Sequence, residues 1–129
     1  CGDYNSKGLN LEFNIIEDSS VRAVFECDRS LEGYSGMLHG GVITAILDGA
    51  MEHCMFALGL TAVTVEITTR FRNPVVTGGE AAVLARITRT SHPLYLLEAE
   101  ITQNEQVKAT AKAKFYDQPK FRRIHNDLY

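Results

Sequence analysis

Asp48 sits within 42–60, the longest apolar stretch of this 129-residue chain, which it breaks together with Glu52 and His53. A carboxylate in such surroundings costs free energy unless it is partnered or used. Acyl chemistry would use it, as a nucleophile or as a general base toward a carbonyl carbon. Just upstream, His39-Gly40-Gly41 opens what reads as a long helix. The first helical turn offers N–H groups without internal partners and a partial positive charge. Glycines there let another molecule come close to the backbone. Such a junction suits a carbonyl oxygen that gains negative charge during reaction, where one donor is typically worth about 2.7–4 kcal/mol. His39 would bond the ligand or hold the loop in shape. The plainer readings are a Gly-Gly cap and turn, and a buried Asp that only makes structural hydrogen bonds. Glu52, one turn beyond Asp48, is an alternative acid or part of a solvated stripe.

Gly40 and Asp48 are eight residues apart, so about 12 Å along a helix axis. One reacting carbonyl does not span that. Two chains related by a two-fold, with their helices antiparallel, put Gly40 of one opposite Asp48 of the other, twice. If both residues act on one group, the chain is an obligate homodimer with two shared sites.

The elements that must position these residues follow from periodicity. Residues 9–15 and 20–27 alternate apolar and polar, as half-buried strands do. Residues 31–41 hold four of the ten glycines and form a loop. The helix is expected over 41–58, with Gly59 as its stop. It is apolar nearly all round, apart from Thr44, Asp48 and Glu52 at i, i+4 and i+8, which marks a buried helix. Strands follow at 60–71, 80–90, 94–102 and 106–116, with Gln103-Asn104-Glu105 joining the last two as a hairpin. In 60–71, strict alternation puts Val63, Val65, Ile67 and Phe71 on one face, and Thr64, Glu66, Thr68, Arg70 and Arg72 on the other. Thr64 would then face away from the apolar side of the strand. One helix cannot cover both faces of a parallel sheet. The economical fold is α+β, an antiparallel sheet curled round a single helix. A single domain is expected over 1–117, with a polar, basic tail at 118–129.

Composition bounds the partners. Apolar residues make up 45% and charged ones 22%, ordinary for a folded chain of this size. Such a chain can bury roughly two thirds of its unfolded surface. A net charge of −3 argues against nucleic acid, and the charges within 42–60 argue against a membrane span. Cys1, Cys27 and Cys54 form no disulfide framework or zinc signature, so a reducing cytoplasm is expected. The start at Cys1 suggests trimming, with a lipid-modified Cys as the rival. His53 and Cys54 point about 100° apart on the helix and make no metal set with Glu52.

His39-Gly40-Gly41 followed by Leu47-Asp48 resembles the hotdog-fold acyl-CoA thioesterases, in particular their PaaI-like branch. Cys1-Gly2, Asn5 and Gly8-Leu9 look like that branch's lead-in. Gly33-Tyr34-Ser35-Gly36-Met37-Leu38-His39-Gly40-Gly41 looks like its glycine-rich loop. Leu47-Asp48, Ala50-Met51, Phe71, Asn73-Pro74 and Gly78-Gly79-Glu80 match its helix and the strand and turn that follow.

The resemblance implies a five- or six-stranded antiparallel sheet round one central helix, in homodimers that often pair into homotetramers. It implies that Gly40 N–H polarises the thioester carbonyl and that Asp48 of the facing subunit drives hydrolysis. His39 would support the loop, and Thr64 falls where relatives carry a Ser or Thr that assists the water. Gly41, Asn73, Arg70 and Arg72 are the expected substrate-binding residues. Arg70, Arg72, Arg89, Lys120, Arg122 and Arg123 are cations for the CoA phosphates by type. No cofactor is implied, because CoA is part of the substrate. Where some relatives carry Asn or Gln near the thioester this chain has Gly33, and where many have Glu it has Gly49. The alternative is a non-catalytic acyl-CoA or acyl-ligand binder on the same fold. A hotdog dehydratase would need a His in a different loop pattern.

Overall fold

Alternating burial writes the strands of this protein. Along Leu94–Gln103 every second side chain is buried, and Ser20–Glu26 and Gln106–Asp117 repeat the pattern. The computed structural model describes residues 11, 13–17 and 20–118. Its elements are β1 (Asn14–Glu17), β2 (Ser20–Glu26), a short 3-10 turn (Arg29–Leu31), α1 (Gly40–Ala57), β3 (Ala62–Phe71), β4 (Glu80–Ser91), β5 (Leu94–Gln103) and β6 (Gln106–Asp117). The strands form one sheet in the order β1-β2-β4-β5-β6-β3, with every neighbouring pair antiparallel. This is the hotdog fold, α+β, with the sheet wrapped round one long helix.

α1 packs against β2 through β6. Its buried side is Ile43, Ile46, Leu47, Ala50, Met51, Cys54 and Met55. The sheet answers with Val21, Ala23, Phe25, Val83, Leu97, Ile101 and Phe115. Ala109, Ala111 and Ala113 of β6 lie buried among these larger side chains, and their short side chains let the helix settle deep in the curve of the sheet. The helix starts one residue earlier than periodicity suggests, at Gly40. It ends at Ala57, followed by Leu58 as C-cap and Gly59 at φ +75°. Thr44, Ala45, Asp48, Gly49 and Glu52 are only half-buried.

Two sequence expectations are corrected. The β5–β6 hairpin turns on Asn104-Glu105 alone, both at positive φ, so Gln103 belongs to β5. The larger correction is in β3. Thr64 pairs with Phe115 and Glu66 with Lys114, leaving Val65 as an extra residue in a β-bulge. The bulge reverses the side-chain phase halfway along the strand. Thr64 therefore shares the helix-facing side with Ile67, while Val63 and Val65 are 36% and 56% exposed. Thr64 needs no second subunit to meet the helix.

β6 runs to Asp117. Of the expected tail, 119–129 lies outside the described residues, as does the lead-in motif from Cys1 to Leu9. Among the described residues, no helix is long and apolar enough to cross a membrane.

Candidate active site

The loop before α1 folds by stitching itself to the segment after β3. Leu38 N–H bonds Val75 C=O at 2.8 Å, and Thr77 N–H bonds Gly36 C=O at 3.1 Å. Met37 and Val76 thus face each other as an antiparallel bridge. His39 N–H bonds Leu31 C=O at 2.9 Å, which closes the loop on itself. Glu32 ties its middle, accepting from Gly36 N–H at 3.0 Å and Thr77 Oγ1 at 2.5 Å. The Thr77 hydroxyl, then the Gly36 amide, hold the Glu32 carboxyl below its ordinary pKa.

His39 is the N-cap of α1. Its backbone is extended (ψ 137°), and its Nδ1 accepts from Gly41 N–H at 2.8 Å. That acceptor role requires Nδ1 to be unprotonated. Gly41 is small for this reason, since a Cβ there would lie 3.1 Å from His39 Nδ1. Gly41 N–H is thus already engaged. Gly40, at N1, has no intrahelical acceptor for its N–H. It lines a cleft of about 570 Å³ together with Gly33, Tyr34, Met37, Leu38, His39, Ile43, Phe71, Arg72, Asn73 and Pro74. Ring atoms of Phe71 come within 3.6 Å of where a Gly40 Cβ would stand. A Cβ at Gly33 would stand 3.3 Å from His39 Cα, so a longer side chain there would crowd the cap.

Two turns along α1, Asp48 accepts a 2.8 Å hydrogen bond from Thr64 Oγ1. The sequence assigned these two residues to one site, and the β3 bulge brings them into contact within one chain. Asp48 does not line the Gly40 cleft. Glu52 lies one turn beyond. Burial pushes its carboxyl above its ordinary pKa, and the Asp48 charge adds to the shift. The ring of His53 stacks on Phe13 at 4.7 Å between centroids.

The remaining expected residues divide. Asn73 and Arg72 line the Gly40 cleft, and Asn73 Nδ2 is anchored on Val107 C=O at 3.2 Å. Arg72 also reaches the outer face of the sheet, where Arg70 lies in a charged groove of about 590 Å³ with Glu66, Thr68, Glu98, Lys112 and Lys114. Arg70 is therefore apart from the cleft. Arg89 is exposed on β4, and Lys120, Arg122 and Arg123 lie outside the described residues. Sequence reasoning missed Tyr34, Met37 and Phe71 as cleft walls, and Glu32 and Gln103 as supports. Gln103 did carry a signal, a polar residue in phase with buried Leu97, Ala99 and Ile101.

A family model, the thioesterase superfamily, matches residues 35–110, from the glycine-rich loop into the first half of β6. The chain belongs to the thioesterase superfamily. No curated protein matches it. Solved structures show the fold again. The Escherichia coli PaaI protein of the phenylacetic acid degradation operon superposes with a TM-score of 0.84 at 19% identity, over 91% of this chain and 86% of that one. A hypothetical thioesterase protein of Streptococcus pneumoniae, solved with coenzyme A, gives 0.83 at 17%, over 89% and 92%. A Streptococcus mutans protein bound to acetyl CoA gives 0.79 at 20%, over 84% and 89%. The pneumococcal protein was also solved as two alanine variants.

Proposed function

We propose that this thioesterase-superfamily protein hydrolyses acyl-CoA thioesters to a free acid and CoA, at a site shared by two copies of the chain. The observation that carries the reading is the Asp48–Thr64 pair. A carboxylate halfway along the central helix is held at 2.8 Å by a hydroxyl that only a β-bulge brings inward. Bulges of this kind re-aim side chains next to active sites.

In this reading the thioester carbonyl lies at Gly40 N–H of one protomer and meets Asp48 of the other. β3 supports that pairing. It is an edge strand, its Thr64 end at Asp48 and its Phe71 end at Gly40. Antiparallel pairing of two β3 edges, centred between those ends, sets the Phe71 end of one copy beside the Thr64 end of the other. Both Gly40–Asp48 distances shrink by the same two-fold.

Hydrolysis then balances simply. As a water oxygen adds to the carbonyl carbon its proton passes to Asp48, Gly40 N–H stabilises the charge growing on the carbonyl oxygen, the C–S bond breaks, and the proton returns to sulfur, which leaves as the CoA thiol; with Asp48 as nucleophile, its oxygen adds first, CoA leaves, and water then cleaves the resulting anhydride. Asp48 serves as base toward water or as the attacking nucleophile. Single turnover in 18O-labelled water reports an Asp48–acyl anhydride cleaved at the aspartyl carbon, because the acid then carries an unlabelled carboxylate oxygen and Asp48 gains the label, whereas water adding directly to the acyl carbon labels the acid. Arg72 lines the cleft, and its guanidinium would meet a CoA phosphate in this reading. The reaction requires no cofactor, and the protein works as a homodimer that pairs into a homotetramer.

The test is to follow thiol release by the purified chain on acyl-CoAs from acetyl to palmitoyl, with benzoyl and phenylacetyl. Turnover of at least one ester that disappears in Asp48→Ala, with the dimer intact, supports the reading. Tight binding without thiol release points to a non-catalytic acyl-CoA binder instead.

A further inference from the structure

Val76 sits in a segment that belongs to no strand of the sheet, yet its backbone is fully engaged. Its bridge to Met37 is of the non-hydrogen-bonded kind, because the flanking bonds run from Leu38 N–H to Val75 C=O and from Thr77 N–H to Gly36 C=O. The N–H and C=O of Val76 itself therefore point away from the loop. On that far side stands the side chain of Gln103, only 4% exposed. Its Oε1 accepts from Val76 N–H at 2.8 Å, and its Nε2 donates to Val76 C=O at 2.8 Å. The second Nε2 hydrogen points to Cys27 Sγ at 3.7 Å. One carboxamide thus does what a neighbouring strand would do. It clamps both backbone groups of a single residue and fixes segment 75–77 to the end of β5.

That segment is in turn what holds the loop ahead of Gly40. The chain of contacts is short: Gln103 to Val76, Val75 and Thr77 to Leu38 and Gly36, and Gly40 two residues after Leu38. We propose that Gln103 is a positioning residue for the oxyanion-binding amide, setting where Gly40 N–H points without touching substrate. This rests on the thioesterase reading of Gly40. A catalytic hydrogen bond depends steeply on placement, and an error of about 1 Å costs on the order of a hundredfold in rate.

The test compares Gln103→Met, which loses both prongs, with Gln103→Glu, which loses the donor when ionised and regains it when protonated. A carboxylic acid presents the same donor and acceptor pair as the carboxamide. On the acyl-CoA that the wild-type chain cleaves fastest, Gln103→Met lowers kcat by about 10–100-fold and leaves KM within about threefold. For Gln103→Glu, the ratio of its kcat to the wild-type value at the same pH climbs as pH falls from about 8 to about 5. Amide hydrogen exchange supplies a readout independent of turnover. In Gln103→Met, Leu38 and Thr77 N–H lose protection while the interior of α1 keeps it. Unchanged protection at Leu38 and Thr77 overturns the proposal, and so does a wild-type kcat in Gln103→Met. A wild-type chain that releases no thiol from any ester sinks the thioesterase reading, and the exchange experiment still decides whether Gln103 clamps the loop.

Discussion

Thr64 Oγ1 donates to Asp48 Oδ1 at 2.8 Å because Val65 bulges out of register between β3 and β6. Without that extra residue, Thr64 would face outward with Glu66 and leave Asp48 without this donor. In the proposed reaction this bond fixes one oxygen of Asp48 and leaves the other for the base or nucleophile role.

Removing either partner tests this. Asp48→Asn keeps shape and loses basicity, so thiol release falls by about 10²–10⁴-fold. Thr64→Val removes only the hydroxyl and lowers turnover about tenfold, and Thr64→Ser restores it. Circular dichroism and gel filtration unchanged from wild type show that the loss is chemical. Full activity in Asp48→Asn would remove this residue from the reaction.

Gly40 and His39 separate the donor from its frame. Gly40→Pro deletes the N–H at N1, a position where Pro is well tolerated. His39 before it is already extended at ψ 137°, as a residue preceding Pro must be. The variant is expected to fold normally and to lose about 10²–10³-fold in kcat. His39→Ala instead removes the cap on Gly41 N–H and costs about 0.5–2 kcal/mol of stability. Thermal unfolding distinguishes them, with a lowered midpoint for His39→Ala and a near-native one for Gly40→Pro.

Glu52 gives a pH dependence of stability. Burial raises its pKa in the fold, so the folded chain holds a proton that the unfolded chain releases near pH ~4.3. Its contribution to stability therefore declines as pH rises from that value through the folded pKa. Glu52→Gln should match wild type at about pH 4 and become the more stable of the two toward neutrality. Urea unfolding at both pH values checks this, and a variant less stable at pH 7 would contradict it.

The helix and its place in the sheet were legible because apolar spacing is a property of every residue in the segment. Gly40–Ala57 differs by one position from the periodic reading, and the His39-Gly40-Gly41 junction announced its own cap. The bulge was not legible. Val63, Val65 and Ile67 are all β-branched and apolar, so strict alternation looked complete, and only the pairing with β6 reverses the phase at Val65. Gln103 escaped notice because it adjoins Asn104-Glu105 and reads as turn, although its parity places it on the buried face of β5. Local pattern specifies elements, whereas a bulge or a side-chain clamp depends on partners distant in the chain.

Cys27 and Cys54 are buried, and desolvation pushes their thiols up to about 11 and about 12. At pH 8 both remain protonated. In a Cys1→Ser chain, Ellman's reagent should find no fast-reacting thiol until denaturant is added. One rapid equivalent in the native protein would place a reactive thiolate where the fold has none.

The shared site is tested most directly by mixing two dead chains. Unfold Gly40→Pro and Asp48→Ala together and refold them, so that about half of the dimers are mixed. If the amide and the carboxylate come from opposite protomers, each mixed dimer regains one site with both groups intact. The mixture then shows about a quarter of wild-type thiol release, while each variant refolded alone shows almost none. If each chain carries its own complete site, every site in the mixture lacks one group. The mixture then stays as inactive as its components, which would contradict catalysis between protomers.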